Sequence, residues 1–143
     1  MLTNGKLMPK LILTVGLPRS GKTTWAKSTG FPIVNPDAIR VALHGQRFFA
    51  PAEPFVWACA YLMADALFKA GHETVIVDAT NITTKRRDAW GRIDLQYQLR
   101  VFETPPALCI ARAKAANDEL IIPVIERQAK EWDLPIPKSW SET

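Results

Sequence analysis

The sequence predicts an α/β fold, a mainly parallel sheet of about four strands covered by helices on both faces. Three observations carry that expectation. Short apolar runs rich in β-branched residues recur at 11–15, 32–35, 73–78 and 99–103, the length and composition of buried strands. Segments with helical signals alternate with them, which is the pattern of βαβ units. The chain of 143 residues is 48% hydrophobic and 22% charged, enough apolar content to bury a core and too little charge for a disordered chain.

The elements follow in order. Residues 11–15 (LILTV) end at Gly16 and read as the first strand. A helix is expected over 22–28, stopped by Gly30, then a second strand over 32–35 and a helical turn over 37–43. Pro54 sits in the first turn of a long helix that runs to Lys69, with Gly71 as its stop. Apolar residues nearly encircle that helix, so it is expected to be well buried. Residues 73–78 form the next strand, and the polar turn 79–81 leads into a helix over 83–97. A fourth strand at 99–103 meets the Pro105-Pro106 break. Helix over 107–116, loop over 117–122, helix over 123–132 and an irregular tail over 134–143 complete the reading. A single domain over 1–143 is expected, and any ligand belongs at the carboxyl ends of the strands.

Composition bounds the function loosely. Eighteen Lys+Arg against fourteen Asp+Glu give a formal charge of +4, which permits an anionic partner and is equally explained by solubility. Cys59 and Cys109 lack metal or redox-motif spacing and read as reduced, buried thiols. No stretch has signal-peptide or membrane-span length, so a cytoplasmic location without membrane association is the expectation. His44 and His72 have no ligand spacing, and neither GxSxG nor HExxH occurs. The five tryptophans do not interleave with a basic stripe, so no stacking platform for single strands is evident, and Trp57 and Trp90 read as core.

The chemistry concentrates at Gly16-Leu17-Pro18-Arg19-Ser20-Gly21-Lys22-Thr23, followed by Thr24. This fits G-x-x-x-x-G-K-[ST], whose chance occurrence in a chain this size is on the order of one in a few hundred. It follows an apolar strand and opens a helix, the context that such a phosphate loop requires. Glycines turn successive N–H groups inward, and the helix N-terminus adds positive potential for phosphate oxygens. Lys22 is placed to bridge β- and γ-phosphates and Thr23 to ligate Mg²⁺. The bland alternative is a glycine-bounded turn. The fold class is thus a three-layer P-loop core.

Other strand ends supply further candidates. Asp37 and Arg40 share a helix face, so the carboxylate can accept an acceptor hydroxyl's proton while the guanidinium holds an anionic group. Equally, Asp37 can cap its own helix and pair locally with Arg40. Asp78 ends a strand, as does the carboxylate that helps hold Mg²⁺ in many P-loop proteins, or it binds turn amides. Asn81 shares that ambiguity. Lys85-Arg86-Arg87 reads most simply as a solvated basic helix face.

Taken together, residues 11–24 (LILTVGLPRSGKTT), 35–40 (NPDAIR), 75–81 (VIVDATN) and the Arg86-Arg87 pair resemble the phage polynucleotide 5′-kinase family. They are also similar to the wider AAA-like group of small P-loop kinases. The resemblance runs from about residue 10 to 135. It implies ATP and Mg²⁺ as cofactors and phosphoryl transfer to a 5′-hydroxyl, with Asp37 as general base. Arg40, Asp78, Asn81 and Arg86 fall in the acceptor site by the same resemblance, and residues 16–24 hold the nucleotide. It further implies a short helical lid over about 112–127, with Arg112 in the lid and Arg127 on a proline-led helix lying over the nucleotide phosphates. Two departures stand out. Arg19 replaces a usual glycine, so a side chain must adopt left-handed geometry there or project toward substrate. The lid's second arginine is replaced in the run 115–119 (AANDE), leaving Lys114 or Arg127 to compensate. No accompanying phosphatase domain is expected within this length.

Two other functions fit the same residues. One keeps the chemistry but takes a small-molecule acceptor such as a nucleoside, sugar nucleotide or antibiotic. The other is a nucleotide-binding regulatory ATPase that transfers nothing.

Overall fold

The computed structural model describes residues 2–3, 6–92 and 94–141. Its centre is a four-stranded parallel sheet made of β3 (Lys10–Val15), β4 (Ile33–Val34), β5 (Thr74–Val77) and β6 (Gln96–Val101), in the order β4-β5-β3-β6. A small antiparallel pair, β1 (Leu2–Thr3) and β2 (Lys6–Leu7), precedes it; the sequence held no clear signal for this pair. In register, Leu11 lies opposite Val75 and Tyr97, and Leu13 opposite Val77 and Leu99.

Side-chain alternation along β3 explains the layers. Leu11 and Leu13 pack with Val34, Val75 and Val77 against α2 (Pro36–His44) and α3 (Glu53–Lys69), through Ile39, Val56, Ala60 and Ala64. Ile12 and Ile76 face the other way, onto Ala26 of α1 (Lys22–Thr29). At the strand end, Val15 and Leu17 join Cys109 and Ala113 of α5 (Pro106–Ala115) and Ile125 of α6 (Ile122–Glu131). The three-layer architecture expected from the sequence is present.

Several details differ from expectation. The helix anticipated over 83–97 is only α4 (Thr84–Asp88), and β6 already begins at Gln96; Ile93 lies outside the described residues. Trp90 is buried in the core, and its carbonyl accepts a hydrogen bond from Tyr97. That anchor ends the helical path and starts the strand. Helix α3 is not buried all round: Val56, Ala60 and Ala64 form one stripe, while Phe55 and Leu62 stand 67% and 69% exposed. Only one face meets the sheet, so composition alone overstated its burial. Trp57 is half-buried rather than core. The tail contains a helical turn at Lys138–Trp140, and its expected end, Glu142 and Thr143, lies outside the described residues. Both cysteines are free, Cys109 buried and Cys59 half-buried.

Thr14 fastens the functional end of the sheet. Its Oγ1 donates to the Ala79 carbonyl (2.7 Å) and accepts from the Ala79 amide (3.0 Å). The Gly16 amide donates to the Thr80 carbonyl at 3.0 Å. The loops after β3 and β5 therefore leave the sheet side by side.

Candidate active site

The loop after β3 is closely packed at its start. A Cβ on Gly16 would stand 2.5 Å from Ser20 Oγ and 3.0 Å from Phe102 Cβ, so a larger residue would have to displace Ser20. Gly21 takes φ 103° as it leads into α1. Arg19 takes φ 69°, the left-handed geometry that its position demanded and that a side chain adopts at a cost of roughly 1–2 kcal/mol. No side chain caps α1, which leaves its first-turn amides oriented toward an external acceptor.

Lys22 lies under this loop, buried to 7% exposure, with Nζ donating to the Leu17 carbonyl (2.6 Å) and to Ser20 Oγ (3.3 Å). Desolvation lowers its pKa from the usual range to about 8, partly offset by the charge of Asp78. The ammonium is therefore held short of full hydration, a state that favours an incoming anion.

Beside it, Thr23 Oγ1 donates to Asp78 Oδ2 at 2.7 Å, and Asn35 Nδ2 donates to the same oxygen at 3.1 Å. The other end of the Asn35 amide caps α2, accepting from the Ala38 amide at 3.2 Å. One asparagine thus ties the carboxylate after β5 to the helix that carries Asp37. Asn35 stood in the quoted motif without a role, and its position before Pro36 is the capping signal that exposes one. It also corrects half of the bland alternative for Asp37, because the cap of α2 is Asn35; the other half, local pairing with Arg40, is present.

Asp37 projects outward with 86% of its side chain exposed, and Arg40 Nη1 donates to it at 2.7 Å. Arg40 also makes a forked pair with Glu53, Nε at 2.9 Å and Nη2 at 2.7 Å. Glu53 carried no sequence motif; only the approach of α3 to α2 brings it in. Arg86 lies 3.6 Å from the Trp57 ring centroid, and Arg40 lies 6.0 Å from the same ring. Arg87 is pinned to the Asn81 carbonyl (2.9 Å) and to Asp133 (2.6 Å). These contacts overturn the solvated-face reading for Arg86 and Arg87, while Lys85 does remain exposed. Asn81 is buried, takes φ 43° and donates from Nδ2 to the Thr14 carbonyl at 2.9 Å.

Residues 112–127 also meet the loop through two polar side chains. Arg112 Nη1 donates to the Arg19 carbonyl at 3.0 Å. Asp118 accepts from Arg19 Nη2 at 3.0 Å and from Arg47 Nη1 at 2.7 Å. Arg47, and after it Arg19, hold the Asp118 carboxyl below the usual carboxylate range. Arg127 instead pairs along its own helix with Glu131 at 3.6 Å and is exposed.

A parallel sheet whose first long strand runs through a glycine-bounded loop into a helix, with a carboxylate at the neighbouring strand end, defines a P-loop fold of the small-kinase type. The chain belongs to the AAA domain family, whose model matches residues 11–133. It is similar to a solved chain of the Pnkp1/Rnl/Hen1 complex, with 28% identity, TM-score 0.66 and coverage of 77% of this chain and 41% of that one. A second structure, of the Pnkp1/Rnl/Hen1 RNA repair complex, matches with 20% identity and TM-score 0.68, covering 94% of this chain and 50% of that one. The chain thus spans half or less of the length of these two chains. A gluconokinase from Sinorhizobium meliloti 1021 shares the fold at 18% identity and TM-score 0.53, covering 93% of this chain and 80% of that one. Among the described residues, no helix is long and apolar enough to cross a membrane.

Proposed function

We propose that this chain is an ATP-dependent kinase that moves the γ-phosphate to a hydroxyl acceptor, the 5′-hydroxyl of a polynucleotide or nucleotide fitting best. The hydrogen-bonded chain Thr23–Asp78–Asn35 carries the reading, because it joins the phosphate loop to the helix turn that presents Asp37. Residues 16–24 receive the triphosphate through backbone amides, and Lys22 meets the β- and γ-phosphates. A hydroxyl beside a carboxylate is a hard-oxygen donor set that suits Mg²⁺, so Thr23 and Asp78 would hold the ion, with Asp78 also supporting the acceptor side. When bound, the ion supplies neutralisation of charge on the β- and γ-phosphates.

Asp37 accepts the proton of the acceptor hydroxyl as that oxygen forms its bond to γ-phosphorus. The bond from γ-phosphorus to the β-bridging oxygen breaks, and ADP leaves with the electron pair. Arg112 neutralises charge over the phosphates, with Arg127 further out. Arg40, Asn81 and Arg86 belong to the acceptor side, Arg86 with its charge on an aromatic face. The chain works in the cytoplasm in this reading.

A small-molecule acceptor is the second reading, favoured by one observation. Arg40 is already engaged by two carboxylates, Glu53 and Asp37, which weakens its claim on an acceptor phosphate. Incubation with labelled ATP against 5′-hydroxyl DNA, 5′-hydroxyl RNA and a panel of nucleosides and sugars separates the two. Label on polynucleotide, with steep salt dependence, supports the first reading. Label confined to small molecules supports the second, and hydrolysis without any labelled acceptor contradicts both.

A further inference from the structure

Two guanidinium groups converge on one carboxylate at the edge of the phosphate loop. Arg19 belongs to the loop itself, and Arg47 arrives from the segment between α2 and α3. Asp118 receives one on each oxygen, Arg19 on Oδ2 and Arg47 on Oδ1, from the turn after α5 where Asn117 adopts φ 56°. The three groups carry one net positive charge, so a single carboxylate leaves the pair undercompensated. Both arginines are accessible, with side chains 38% and 57% exposed, whereas that of Asp118 is 14% exposed. With both arginine side chains solvated, each guanidinium can turn to a stronger anion. Resting on the P-loop reading above, a phosphate group with more charge and three free oxygens is the stronger partner for two forked donors.

We propose that Arg47 and Arg19 form a phosphate-binding pair for the terminal phosphate of the bound nucleoside triphosphate, with Asp118 as the carboxylate from which that phosphate takes them. Arg19 occupies the left-handed position of the loop itself, and Asp118 holds Arg47 beside it. Positive charge is thereby gathered from the loop and from the α2–α3 connection. Arg112 holds the Arg19 carbonyl, which keeps the backbone in place while the Arg19 side chain changes partner. Asp118 is a positioning residue, since it acts only through the two arginines.

The test compares ATP with ADP, because only ATP carries the phosphate at issue. Calorimetric dissociation constants are measured for the unaltered chain, Arg47→Ala, Arg47→Lys, Asp118→Asn and the Arg47→Ala/Asp118→Asn double variant. Arg47→Ala is expected to weaken ATP binding about tenfold, the loss of one charge-assisted contact, and to change ADP binding less than about twofold. Arg47→Lys restores part of the loss. Asp118→Asn tightens ATP, and the double variant abolishes that gain. Equal shifts for ATP and ADP in folded Arg47→Ala, or no shift in either, would overturn the proposal while leaving the P-loop reading intact. If the unaltered chain binds neither nucleotide, both fall together.

Discussion

Lys22 has a pKa lowered by desolvation to about 8, and its sign has two consequences. An amine with a depressed folded-state pKa destabilises the fold fully below about pH 8. Its contribution then rises between about pH 8 and the usual lysine value near 10.4, because the unfolded chain binds more protons there. Nucleotide binding runs the opposite way. Above about pH 8 the amine must regain a proton to meet phosphate, so ATP affinity should fall by up to about tenfold per pH unit. Titrating the ATP dissociation constant from neutral to alkaline pH checks this, and Lys22→Arg should flatten the profile. At Gly16, alanine would place a Cβ 2.5 Å from Ser20 Oγ. Gly16→Ala should therefore weaken ATP binding by at least about tenfold through displacement of the loop amides.

Among the elements, α4 is tied to the segment after α6 largely through one side chain. Arg87 joins the Asn81 carbonyl, Thr84 Oγ1 and Asp133, and Asp133 also accepts from the Thr84 amide. Arg87→Ala leaves a buried carbonyl without its donor and should cost about 2 kcal/mol in urea unfolding. Helix α3 gives the complementary prediction. Leu62→Gln, on the exposed face, should stay within about 0.5 kcal/mol of the unaltered chain. Val56→Ala, fully buried against β3 and β5, should cost about 2 kcal/mol. Equal costs at the two positions would restore the all-round burial that composition suggested.

At the scale of the whole molecule, the sheet was legible because each central strand is a short apolar run ending in a glycine or polar turn. The phosphate loop was legible because its spacing is fixed by backbone geometry rather than by tertiary context. What was not legible depends on contacts far apart in sequence. The Glu53 fork on Arg40, the Arg86–Trp57 stack and the convergence of Arg19 and Arg47 on Asp118 bring together residues with no local pattern. Helix α4 was overextended because the polar stretch around it is held by Trp90, Tyr97 and Asp133, not by helical periodicity. The mild excess of basic residues says little as a total. Its placement says more, since Lys22, Arg19, Arg47 and Arg112 gather around one loop, where focused positive charge favours an anionic ligand.

The central claim is that Asp37, tethered to the phosphate loop through Asn35 and Asp78, is the base for transfer to a hydroxyl. Single-turnover transfer of labelled γ-phosphate to a 5′-hydroxyl oligonucleotide, measured beside ATP binding for the unaltered chain and Asp37→Asn, tests it most directly. The account predicts transfer by the unaltered chain, a loss of at least about a hundredfold in Asp37→Asn, and unchanged ATP affinity. Undiminished transfer by Asp37→Asn would contradict the assignment, and an unaltered chain that binds ATP yet labels no oligonucleotide would contradict the acceptor.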